Sequence, residues 1–157
     1  MSDATLMDLM RKSKPPPASS GSPDDIEAAF YDALQAGDID RLMACWSDED
    51  EMVCIHPGGA WLVGPAAICQ GFEAMFANGT IRIQPVKVRK LDGLGSSVHS
   101  VLERIEVLTQ EGLSHVYVMA TNVYQETAQG WRLVAHHASP GSAQELQEVS
   151  PTPLVLH

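Results

Sequence analysis

The sequence predicts an α+β domain, with helices in its first half and an antiparallel sheet in its second. Three observations carry the prediction. Before residue 80, apolar residues recur at helical spacing in three segments. After residue 80, β-branched and alternating runs are separated by short turn sequences. The chain, at 157 residues with 45% apolar and 19% charged side chains, is long enough for one domain with a core and too short for two ordinary ones.

Residues 1–21, rich in Ser, Pro and small residues around "KPPPASSGS", are expected to be a disordered tail, and 142–157 a C-terminal tail. The domain is expected over 22–141. In "SPDDIEAAFYDALQAGD", Ser22 suits a cap and Pro23 the first helical position, with Asp24 and Asp25 at the positive helix end. Ile26, Phe30, Ala33 and Leu34 share one face, and Gly37 supplies the stop. A second short helix carries Ile39, Leu42, Met43 and Trp46. A strand, "EMVCIHP", follows. The third helix starts at Pro65 and places Ile68, Phe72, Met75 and Phe76 on one stripe before Gly79. The four runs "IRIQPVKVRKL", "SVHSVLERIEVL", "LSHVYVMATNVYQ" and "WRLVAHHAS" are strands, joined through "DGLGSS", Glu111-Gly112 and "TAQG".

Over 113–124 neither strand face is polar: Leu113, His115, Tyr117 and Met119 alternate with Ser114, Val116, Val118 and Ala120. Helices would cover one face, and a second copy of the chain is the natural cover for the other.

The net charge of −10 disfavours nucleic acid, and "KVRK" at 87–90 alternates as a solvated edge strand does. No apolar run approaches the roughly 20 residues of a membrane span. The N-terminus lacks the pattern of a secretory signal, which leaves the cytoplasm as the expected compartment. Cys45, Cys54 and Cys69 are odd in number and without C-x-x-C spacing, and are expected to be reduced thiols in the core.

Helix, helix, strand, helix and four antiparallel strands form an order marked by "ALQAGDIDRLMACWSDED", "HPGGAWLVGPAAI" and "WRLVAHHASP". It resembles the nuclear transport factor 2-like superfamily, and within it the SnoaL-like and ketosteroid-isomerase-like small proteins. The resemblance covers about 22–141. It implies a cystatin-like cone, in which a curved antiparallel sheet wraps around three N-terminal helices. A pocket lies at the open end, and the convex side commonly forms a dimer.

His56 ends a strand just before Pro57, Gly58 and Gly59. By the resemblance it falls at the base position of ketosteroid isomerases, with Phe30 where their oxyanion tyrosine stands. The region near Met119 and Ala120 offers no acid as a second donor, so steroid isomerisation is not implied. An imidazole suits proton transfer near neutrality; the structural alternative is that His56 donates to a local carbonyl and fixes the loop. His136 and His137 must point to opposite faces of their strand. Trp131, Leu133 and Ala135 make the odd set the more apolar, so His137 is expected inside as a second catalytic candidate.

Tyr31, Trp46, Trp61 and Phe72 lie near the expected mouth, where they would grip a small apolar or planar ligand, and Phe30 is a further ligand-binding candidate. Trp61 is a lid or a dimer contact, and His115 and Tyr117 share a strand face that could line the pocket. No spaced ligand set for a metal is present, and "GLGSS" lacks the helix and third glycine of a dinucleotide loop, so no cofactor is expected. Two functions follow. One is a cofactor-independent isomerase, cyclase or dehydratase with His56 as base; the other is a non-catalytic ligand-binding or oligomerisation module.

Overall fold

The computed structural model describes residues 21–141, together with residue 149. Apart from Gly21 and Val149, the expected tails lie outside the described residues. Three helices, α1 (Pro23–Ala36), α2 (Ile39–Cys45) and α3 (Pro65–Ala77), pack on a curved six-stranded sheet. Its strands are β1 (Val53–Ile55), β2 (Leu62–Val63), β3 (Arg82–Gly93), β4 (Ser96–Thr109), β5 (Gly112–Thr127) and β6 (Gly130–Gly141). In space the order is β2-β1-β6-β5-β4-β3.

The helix ends follow their sequence signals. Ser22 Oγ accepts the Asp25 N–H at 3.1 Å, and Asp38 Oδ1 accepts the Arg41 N–H at 3.1 Å. Gly37 closes α1 in the left-handed region, at φ 64°, which spares a Cβ penalty. Behind these caps, Ile26, Phe30, Leu42, Trp46, Ile68 and Phe72 are buried between helices and sheet. Each such side chain stabilises the fold by about 1.5–3 kcal/mol relative to exposure.

The sheet departs from the all-antiparallel expectation at one seam. The β3, β4, β5 and β6 neighbours are antiparallel, whereas β1 runs parallel to β6, with Cys54 opposite His136. The intervening α3 and three long strands give the chain the length that a parallel return needs. The two-residue strand β2, antiparallel to β1, had no expectation behind it, because so short a segment carries no periodicity.

β5 has the two apolar faces read from its sequence. Val118, Ala120, Asn122 and Tyr124 are buried beneath the helices, while Met119 is 44% and Leu113 64% exposed on the outer face. No helix among the described residues is long and apolar enough to cross a membrane. The three cysteines are free thiols.

Candidate functional site

An inner cavity of about 250 Å³ lies between α1, α3 and the sheet. Leu34, Phe72, Met75, Ile83, Ile105 and Val118 form much of its wall, and three polar side chains, His56, Glu103 and His136, open on it. Its size lies just below the usual range for ligand pockets, which begins at about 300 Å³.

His56 arrives where β1 stops. The Gly59 N–H donates to the His56 carbonyl at 2.8 Å, so the backbone closes the turn and the ring remains available to the cavity. That ring stands edge-on to Phe72, with centroids 4.9 Å apart, and its Nε2 is 3.9 Å from Cys54 Sγ. Gly71 makes room for Leu62 beside this ring, since a Cβ there would lie 2.5 Å from Leu62 Cδ1, while its 3.7 Å to His56 Nε2 would be an ordinary contact. Burial holds the imidazole below its ordinary 6.5, so His56 is neutral at pH 7 and able to accept a proton. Burial also pushes the neighbouring Cys54 thiol up to about 12, which leaves it a poor nucleophile.

Glu103 was missed by the sequence reading. It lies on β4 opposite Val118 and is only 2% exposed. Burial is the largest influence on its carboxyl and raises it to about 7; the Tyr31 hydroxyl, donating to Glu103 Oε2 at 2.6 Å, opposes that rise. An acid does therefore face the cavity, although the region of Met119 and Ala120 itself carries none. It comes from the strand next to theirs. Its sequence signal was alternation, because Glu103 shares the inward phase of His99, Val101 and Ile105.

The expected orientation of the histidine pair is reversed. His136 is buried, with Nδ1 2.5 Å from Asn122 Oδ1, whereas His137 is exposed on the outer face. The reason is a β-bulge. Val123 pairs with Ala135 but Tyr124 pairs with Leu133, which leaves Val134 as an extra residue and resets the alternation. His136 lies 6.4 Å from His56 between ring centroids, and burial lowers its imidazole to about 3. His137 instead joins Lys87, Arg89, Thr121 and Ser139 along a shallow outer-face groove.

The ligand-binding candidates divide. Phe72 reaches the cavity. Phe30 is fully buried behind it, edge-on to Tyr31, Trp46 and Phe72. Trp46 is likewise core and not mouth. Tyr31 acts on the cavity through Glu103. His115 and Tyr117 take the odd phase of β5 and lie on the outer face, away from the cavity. Trp61 is 76% exposed and does not line the cavity.

Behind the cavity, polar groups interlock. Asn122 Nδ2 donates to Tyr31 Oη at 3.1 Å and to Glu27 Oε2 at 3.4 Å; Tyr124 donates to the same Glu27 oxygen at 2.7 Å, and His99 Nδ1 lies 2.8 Å from it. Among the described residues, no His, Cys, Asp or Glu group is arranged to hold a metal.

A family model described as a SnoaL-like domain matches residues 24–143, the three helices and the full sheet together. The chain belongs to the SnoaL-like family. Its fold is that of the nuclear transport factor 2-like superfamily, as expected from the sequence. Among solved structures, a Thiobacillus denitrificans protein named for a calcium/calmodulin-dependent protein kinase type II association domain is 36% identical. The match covers 82% of this chain and 99% of that one, with a TM-score of 0.72. A Streptomyces avermitilis protein, named for a dehydratase of the nuclear transport factor 2-like family, is 27% identical over 75% of this chain and 93% of that one, with a TM-score of 0.66. A Caulobacter vibrioides protein with a cystatin-like fold has a TM-score of 0.66 at 14% identity, covering 78% of this chain and 89% of that one, and speaks for the fold alone. No functionally curated protein matches the sequence.

Proposed function

We propose that the protein is a cofactor-independent acid–base catalyst of the isomerase, cyclase or dehydratase type, acting on a small, largely apolar molecule held in the inner cavity. The observation that carries this reading is that His56 and Glu103 open on the same apolar space. His56 is the base, neutral at pH 7 because burial disfavours its charged form. Glu103 is the acid, because the same cause keeps much of it protonated near neutrality. Two groups pushed in opposite directions by their surroundings can exchange roles within one turnover. The dehydratase name carried by the Streptomyces relative is in keeping with such proton transfer.

A generic substrate tests the pair. In 5-nitrobenzisoxazole, removal of the ring C–H proton by a base forms the nitrile as the N–O bond breaks, and the leaving phenolate oxygen can take a hydrogen bond from an acid. We expect saturable turnover about a hundredfold faster than with the same concentration of free imidazole, and its loss in His56→Ala. Turnover no faster than imidazole, or unchanged in His56→Ala, contradicts the catalytic reading.

The second reading is a non-catalytic association module, favoured by the association-domain name of the 36% identical relative. Its assembly surface would be the outer sheet face, where Leu113 and Met119 are exposed, and the first reading uses the same face for a homodimer. Free cysteines support a reducing compartment such as the cytoplasm.

A further inference from the structure

We infer that the cavity selects a neutral, hydroxyl-bearing apolar molecule over a carboxylate, because Asn122 holds His136 with its free ring nitrogen as a hydrogen-bond acceptor for the occupant. The inference rests on the cavity being the ligand site and adds the class of ligand.

The proton positions follow from the network. Glu27 Oε2 already accepts from the Tyr124 hydroxyl, so the side of Asn122 that faces it is the NH2 group. The same group donates to Tyr31 Oη. Oδ1 of Asn122 then faces His136 Nδ1 at 2.5 Å, and as an acceptor it requires that Nδ1 carry the proton. A neutral imidazole holds one proton, so Nε2 is left with its lone pair. Tyr31, having accepted from Asn122, spends its own proton on Glu103 Oε2, which leaves the other carboxyl oxygen for the cavity. One buried amide thus orients His136 directly and Glu103 through Tyr31.

His56, Glu103 and His136 line the cavity and no Lys or Arg does, so the free His136 nitrogen and the second Glu103 oxygen are the groups the network leaves for an occupant. A hydroxyl satisfies both groups, donating to His136 and accepting from Glu103 in its protonated form. A carboxylate could accept from protonated Glu103, but it has no proton for His136 and would leave water for a lining without Lys or Arg. Asn122 is a positioning residue, acting on the occupant only through His136, Tyr31 and Glu103.

Three ligands with one ring system test this on the full chain: 2-naphthol, 2-methoxynaphthalene and 2-naphthoate, titrated at pH 7 by calorimetry. The naphthol should bind about tenfold more tightly than either of the others, the ratio expected for one buried hydrogen bond. In Asn122→Leu that advantage should fall to twofold or less. Nitrogen-15 NMR of the wild-type protein should show the Nδ1–H tautomer of His136, a measurement that stands even if the variant does not fold. The inference is overturned by the Nε2–H tautomer, by naphthoate binding as tightly as naphthol, or by equal affinity for all three. Equal affinity would leave the ligand cavity intact; failure of all three to bind would remove the cavity reading as well.

Discussion

Replacing Glu103 with glutamine should make the protein more stable at pH 8.5 while changing it little at pH 5. Glutamine keeps an oxygen that can accept from Tyr31 and removes only the charge. In the folded state the carboxyl titrates at about 7 in place of the ordinary 4.5, chiefly because it is buried. The sign follows from proton binding. Between pH 4.5 and 7 the folded chain holds a proton that the unfolded chain has released, so this group's contribution to stability falls as pH rises and levels off above 7. The difference is worth about 3 kcal/mol. His56 and His136 titrate with the opposite sign, but they are common to wild type and variant. Urea unfolding of both proteins from pH 5 to 8.5 isolates Glu103 as the difference between them. A gain of about 2–3 kcal/mol for the variant at pH 8.5, shrinking towards pH 5, is expected. A difference that does not change with pH would refute the buried, proton-holding carboxyl.

His136 gives the reverse dependence: with its imidazole lowered to about 3, stability is lost as pH falls from 6.5 towards 3, and His136→Phe should flatten that acid limb in circular-dichroism titrations. Phe72→Ala removes a ring in contact with Phe30, Trp46, His56 and Phe76. It should cost about 3–5 kcal/mol in urea unfolding, and a cost below about 1 would mean that α3 is held by other contacts. Met119→Arg on the outer face should leave the fold intact and shift the sedimentation coefficient to that of a monomer; an unshifted assembly would move the proposed association surface elsewhere.

The parts of the fold that local chemistry decides were legible in the sequence. Ser22 and Gly37 mark helix ends because a cap is a contact within a few residues. The two-sided β5 could be read because side-chain alternation is a property of the strand itself. The bulge at Val134 could not, since it exists only in the register between β5 and β6, and it inverted the assignment of His136 and His137. His56 was legible as an odd placement, a titratable ring at the end of an apolar run. Glu103 and Asn122 sit in inward-facing phases that the same alternation rule exposes, yet each looks like an ordinary strand residue until Tyr31, 72 and 91 positions away, is beside it. Trp46 and Tyr117 show the opposite error, since an aromatic residue near a presumed mouth has the same sequence signature as one filling the core or facing outward.

The pH dependence of kcat/KM for 5-nitrobenzisoxazole tests the central claim most directly, because it reads His56 and Glu103 in the same catalytic event. A neutral His56 and a protonated Glu103 are needed together, so the rate should rise through a limb below pH 6.5, peak, and fall through a second limb near pH 7. Glu103→Gln should remove the second limb alone. A profile that climbs steadily with hydroxide, or one whose alkaline limb survives in Glu103→Gln, would contradict the pairing of these two residues.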